Sequence, residues 1–266
     1  MPIAIDACAA QHQGDRKEQQ DRVAILPHPK KKGVALAVVA DGMGGHTGGA
    51  LAAEQVIHTA RNNLDHFAPA EETPHSMLEN AMREAHTMIK ASRFINEKDP
   101  HSTAVMLLLQ PGKVTWAHCG DSRLYYYRGR KMQERTTDHS YVEHLLASGR
   151  ISAEQALTHP NRNVLLTSLG GQEEPKFNFA EAPEIAGGDA FLLCSDGLWA
   201  YFDEEELGSV VADNSARNAC EILIDRARSR GQGAGDNISL AIIKLSEVEA
   251  PKPKPPAGFV PRTTYN

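Results

Sequence analysis

Cysteine is scarce and unpaired in this 266-residue chain. Cys8, Cys119, Cys194 and Cys220 form no Cys-x-x-Cys pair, and three of them fall in apolar strand or helix patterns. That spacing argues against a disulfide framework and leaves them as small core residues. No apolar run approaches the length of a membrane span. Met1 to Ala10 lacks the basic start of a signal peptide. Basic charge is not in excess: the net charge is -6, which argues against general nucleic-acid affinity. There is no internal repeat and no break in composition before the tail. These absences predict a soluble, cytoplasmic chain with a single domain. With 41% hydrophobic residues it can bury a large core, near the upper size for one.

What the chain does have is four aspartates beside glycines at the ends of apolar runs. They are Asp41-Gly42, Gly120-Asp121, Asp196-Gly197 and Gly235-Asp236. The runs read as strands over Val34 to Ala40, Val114 to Cys119, Ala190 to Cys194 and Ile238 to Leu245. Strand ends hold carboxylates rigidly, and the adjacent glycine lets the backbone turn and approach a ligand. Several converging carboxylates make a site for hard divalent cations. Any one Asp-Gly pair is more often a hairpin corner. Asp41 resists that reading, because a glycine-rich stretch and then a helical pattern follow it. Asp196 resists it too, because Asp203-x-x-Glu206 starts a helix soon after. Asp121 stays open, since Leu124 to Tyr127 reads as a possible returning strand.

Elsewhere, Ile3 to Cys8 and Arg22 to Leu26 read as short strands around a polar loop, and Lys30 to Lys32 as a solvated turn. Leu51 to Phe67 is helical, with Val56, Ile57, Ala60, Leu64 and Phe67 on one face. Thr73-Pro74 opens a second helix through an N-cap and a proline at its first position. Thr103 to Leu109, Val114 to Cys119 and Leu124 to Tyr127 follow as strands. Residues 139–174 form an irregular insert with short helices at Tyr141 to Ala147 and Ser152 to Leu157, the second opened by a Ser152-x-x-Gln155 capping box. Such an insert is a candidate flap over a site. A strand over Phe177 to Ala182 and helices over Asp203 to Val211 and Ala216 to Arg228 complete the domain. Residues 249–266, rich in proline and lysine, read as a disordered or extended tail.

Taken in order, the chain carries Arg16-x-x-Gln19-Gln20-Asp21, Asp41-Gly42-Met43-Gly44-Gly45-His46 and Ser102-Thr103-Ala104. Then come Cys119-Gly120-Asp121-Ser122-Arg123, Thr137-Asp138-His139-Ser140 and Leu166-Thr167-Ser168-Leu169-Gly170. Cys194-Ser195-Asp196-Gly197-Leu198-Trp199 and Gly235-Asp236-Asn237-Ile238 close the set. Each motif alone is weak, but the ordered set resembles the metal-dependent protein serine/threonine phosphatases of the PP2C (PPM) family, in their bacterial style. The resemblance covers nearly the whole chain before the tail. It implies an α+β fold: a four-layer α-β-β-α sandwich with two central, mainly antiparallel sheets, spanning residues 1–248.

It also implies chemistry. A phosphomonoester resists water because water is a poor nucleophile and the phosphate is anionic. Two Mn²⁺ or Mg²⁺ ions bridging a water lower its pKa and clamp the oxygens of an in-line displacement. The resemblance makes Asp41 the bridging ligand and Gly42 a carbonyl ligand. It gives Asp196 and Asp236 to the other ion, and Asp121 with Asp196 to a third, weaker one. Asp21 supports the metal site, and Arg16 grips the substrate phosphate, for which a planar fork is suited. Phosphorylated proteins are the implied partners, with a cognate serine/threonine kinase opposed in signalling or secretion control, and neither nucleic acid nor membrane. Gln20 stands where Glu is common, which predicts modestly weaker metal binding, and Gln19 stands where Asn is usual. Met43 stands where some eukaryotic members carry a histidine acid. His46 reads as structural, so no side chain is assigned as general acid, and a metal-bound water is the alternative. No cysteine lies in a Cys-x5-Arg loop, in keeping with a mechanism that needs no thiol. Two alternatives differ in class: a non-catalytic pseudophosphatase, disfavoured by the retained aspartates, and a hydrolase of small phosphoesters, which the insert would decide.

Overall fold

Strands that are apolar at almost every position must be covered on both faces. The computed structural model, which describes residues 3–44, 47–96 and 99–247, covers them in layers. The N-terminal half runs β1 (Ile3–His12), β2 (Arg22–Pro27), β3 (Ala35–Ala40), β4 (Gly42–Met43), α1 (Thr47–His66) and α2 (Pro74–Asn96). The middle runs β5 (His101–Ser102), β6 (Ala104–Gln110), β7 (Lys113–Cys119), β8 (Arg123–Arg128), β9 (Lys131–Arg135), α3 (Tyr141–Ala147) and α4 (Ala153–Leu157). The remainder is β10 (Asn178–Ala182), β11 (Asp189–Cys194), α5 (Asp196–Trp199), α6 (Glu204–Asp213), α7 (Ala216–Gly231) and β12 (Ile238–Glu247).

Two five-stranded sheets result, ordered β1-β12-β11-β8-β9 and β10-β7-β6-β3-β2. Every pairing within them is antiparallel. The period-two alternation of each strand divides the core into three layers. Leu36, Val38, Met106 and Leu108 face α1 and α2. Their neighbours Ala37, Val39, Val105 and Leu107 turn the other way and meet Phe191, Leu193, Ala241 and Ile243 between the sheets. Leu192, Leu240 and Ile242 face α6 and α7, against Leu207, Val211, Ala219 and Leu223. This is the four-layer α-β-β-α sandwich that the motif order implied. No helix among the described residues is long and apolar enough to cross a membrane. The tail from residue 248 and His46 lie outside the described residues.

Some boundaries differ from the sequence reading for identifiable reasons. β1 runs on to His12 because each residue from Ile3 to His12 pairs with β12. Its last residues, Ala9-Ala10-Gln11-His12, have no strand signature of their own. The edge strand β9 is polar, Lys-Met-Gln-Glu-Arg, and is held by pairing to β8. Thr103 lies outside β6, because its N–H donates to the carbonyl of Asp41 at 2.9 Å. The Ser152 and Gln155 capping box forms in both directions.

The layered packing sets a stability expectation. Leu192 is fully buried in the β11 face against α6 and α7. Leu192→Ala should cost about 2–5 kcal/mol, as cavity-forming core truncations do. Urea unfolding should show a lower midpoint at an unchanged slope.

Candidate metal centre

Antiparallel order brings four strand ends to one pole of the sandwich. β3 delivers Asp41 there, beside the start of β6. β11 ends opposite the start of β12, with Cys194 across from Leu240, so Asp196 and Asp236 meet. The Gly120-Asp121-Ser122 corner joins β7 in one sheet to β8 in the other. It is therefore a crossing between sheets and not the hairpin that a returning strand suggested. A cavity of about 580 Å³ opens at this pole. Arg16, Gln20, Asp41, Gly42, Asp121, Asp196 and Asp236 line it, with Asn163 and Leu165 from the insert.

Asp21 does not stand on that wall. It is 1% exposed and lies beneath, where its Oδ2 accepts from Ser195 Oγ at 2.7 Å. Ser195 in turn precedes Asp196, so Asp21 braces that turn, and its charge also reaches Asp41. Gly42 is glycine for steric reasons: a Cβ there would collide with the backbone carbonyls of Gly49 and Gln20. The same crowding accounts for Gly49 inside α1, against which the Gly42 backbone packs.

The sequence reading gave no role to three residues that hold the cavity together. Asn237 Oδ1 accepts from the Gln20 N–H at 2.7 Å, and its Nδ2 donates to the carbonyls of Gln13 at 2.8 Å and Glu18 at 2.9 Å. It thereby staples the loop carrying Arg16 to the segment carrying Asp236 just ahead of β12. Asp15 adds to this, with its N–H on the Gly235 carbonyl at 3.0 Å and its Oδ2 accepting from the Gly235 N–H at 2.7 Å. Thr103 is the third. Its Oγ1 accepts from the Asp41 N–H at 3.0 Å and bonds Ser122 Oγ at 2.7 Å, tying the Asp41 turn to the Asp121 corner. The only hint in sequence for Asn237 and Thr103 was their place inside the motifs. Behind the corner, Arg123 pairs with Asp138 through two bonds of 2.8 and 2.7 Å and stacks on Trp199, whose Nε1 donates to the Asp121 carbonyl at 3.0 Å.

The electrostatics are one-sided. Burial, and then the charges of Asp21, Asp196, Asp121 and Asp236, push the Asp41 carboxyl well above its ordinary range. Burial and then Asp196 and Asp138 push Asp121 up to about 8. Burial pushes Asp21 to about 7 against the Ser195 bond that lowers it, with Asp196 and Asp236 adding to the rise. Burial and Asp236 raise Asp196 to about 6, opposed by the Gly197 N–H, Arg16 and a bond to the Asp41 carboxyl. Arg16 donates to Asp236 Oδ2 at 2.5 Å from a side chain that is 60% exposed.

The donor set is carboxylate and carbonyl oxygen, which suits hard divalent cations. The excess negative charge points the same way. Among the described residues, no three His, Cys, Asp or Glu groups form a ready-made cation cage. In this arrangement, Arg16 and the Asp41–Asp196 bond hold the carboxylates. Thiol chemistry has no place here: Cys119 and Cys194 are fully buried, and burial raises both thiols, Cys119 to about 12.

Fold and site together describe a helix-covered double-sheet phosphatase scaffold with an acidic cavity at its strand ends. The family description Protein phosphatase 2C matches residues 8–228, and the chain belongs to that family. It is 29% identical over 222 residues to the serine/threonine phosphatase stp of Listeria innocua, covering 81% of this chain and 86% of that one. PppA of Pseudomonas aeruginosa, described as a key regulatory component of T6SS, superposes with a TM-score of 0.75 at 30% identity, covering 91% of this chain and 97% of that chain. The catalytic domain of the serine/threonine protein phosphatase PstP, solved in complex with two manganese ions, gives a TM-score of 0.77 at 26% identity and covers 92% of this chain and all of that one.

The raised carboxyl values carry a pH signature. Asp121 titrates near 8 when folded and near its ordinary value of about 4 when unfolded. Between those values the folded state holds more protons, so this group's contribution to stability falls as pH rises. In chelator, Asp121→Asn should therefore unfold at a higher temperature than the parent at pH about 8, and the gain should shrink towards pH about 4. Thermal unfolding across that range checks it. An advantage that grew towards acid would contradict it.

Proposed function

We propose that this protein hydrolyses phosphoserine and phosphothreonine in other proteins with two Mn²⁺ or Mg²⁺ ions, opposing a serine/threonine kinase in the cytoplasm. One observation carries the reading: Asp41, Asp121, Asp196 and Asp236 converge with Arg16 on a single cavity. Held there, the two ions would lower the pKa of a water shared between them and offset the charge on the phosphoryl oxygens.

The chain's own residues do the rest. Asp41, at the end of β3, faces both Asp196 and Asp121, which suits it to bridge two cations. The Gly42 carbonyl would help hold one ion, and Asp196 with Asp236 the other. Asp121 and Asp196 together suit a third, weaker cation. Asp21 fixes the Ser195-Asp196 turn from below. Arg16 is largely exposed and pairs with Asp236, so its guanidinium stands at the cavity mouth, where a phosphate dianion would compete for it. Arg16 is then both the phosphate grip and a brace for Asp236. Asn163 and Leu165 place the insert against the substrate's path.

Turnover of an aryl phosphate with Mn²⁺ should vanish with chelator. Asp236→Asn should cut kcat by orders of magnitude while thermal unfolding remains cooperative. Arg16→Ala should mainly raise KM, with the smaller change in kcat. Activity that persisted in Asp236→Asn, or turnover indifferent to chelator, would overturn the proposal.

A further inference from the structure

At the pole opposite the aspartates lies an apolar groove of about 470 Å³. Ile3, Ile5, Leu109, Ile185 and Leu245 form its aliphatic wall. Its position follows from register. Ala35 at the start of β3 pairs with Leu109, whereas Asp41 follows the other end of that strand. Ile5 is 47% exposed on the rim, while Leu109 and Leu245 form a buried floor.

We propose that this groove receives the chain's own C-terminal segment, with Phe259 and Val260 as the anchor. The first argument is where the described chain stops. Glu247, the last residue of β12, pairs with Ile3 on the groove wall, so residues 248–266 leave the sandwich at the groove itself. The second is chemistry. Phe259-Val260 is the one adjacent pair of large apolar residues in that stretch, set between Gly258 and Pro261. An aromatic ring with an aliphatic neighbour is what an aliphatic groove buries best.

The third argument is reach. Eleven residues, Val248 to Gly258, separate Glu247 from Phe259, a tether with a contour of at most about 40 Å. That length lets the anchor reach the groove beside which β12 ends. The tether also makes the segment's effective concentration far higher than that of any free partner. Lys252 and Lys254 alternate with the prolines between the two ends of this tether. Docking at this pole leaves the metal cavity open, so the proposal stands apart from the catalytic reading.

The test uses the full chain with labelled isoleucine methyl groups. Phe259→Ala should shift the δ1-methyl resonances of Ile5 and Ile185. In the reciprocal variant, Ile5→Glu, the Phe259 ring signals should move to their free-peptide positions. Both variants should keep the parent's Mn²⁺-dependent aryl phosphate turnover. Ile5 and Ile185 signals unchanged by Phe259→Ala would overturn the proposal. Shifts that grow with protein concentration would overturn it in favour of a second copy's segment.

Discussion

Like-charge repulsion among aspartates is the constraint on which the rest of this structure depends. Asp41, Asp121 and Asp196 face one cavity and Asp21 lies beneath it, each with its carboxyl raised. Such a cluster would spread apart on a soft scaffold. Here each member flanks a strand whose two faces are packed, one against a helical layer and one against the opposite sheet. The three apolar layers hold in place a charge arrangement that is unfavourable on its own. Close-packed interiors resist this kind of relaxation.

The supporting hydrogen bonds serve the same end. Asn237 satisfies its side chain on the loop that bears Arg16, and Thr103 links the Asp41 turn to the Asp121 corner. Neither needs to touch a substrate. Each joins two segments whose relative position sets the distance between carboxylates. Arg16 is the one arginine on the cavity wall among the described residues, and it is already engaged by Asp236. Under the proposed reading, the same guanidinium balances the carboxylates and recognises the phosphate.

Much of this was legible in the sequence, and the exceptions are instructive. Asp41, Asp196 and Asp236 stood out because glycines flank them at the ends of apolar runs, a local signal. The α-β-β-α layering came only with the family resemblance that the ordered motifs carry, since the strands' fully apolar faces alone do not say which sheet they join. Asp121 could not be resolved locally: whether its corner is a hairpin or a crossing depends on which sheet β8 enters. Asn237 was invisible for a related reason, because its partners Gln13 and Glu18 lie more than two hundred positions away. Asp21 has no adjacent glycine, and its place under Ser195 rests on a contact with a residue far away in sequence. β9 was missed because an exposed edge strand carries no apolar alternation.

The central claim is that this end of the sandwich is a binuclear cation site. A crystal structure grown with Mn²⁺ and read by anomalous scattering tests it most directly. The account predicts two anomalous peaks in the cavity, with Asp41 between them, the Gly42 carbonyl on one, and Asp196 and Asp236 on the other. An occupied cavity without cations, or Mn²⁺ bound only elsewhere on an enzyme that still turns over, would contradict it.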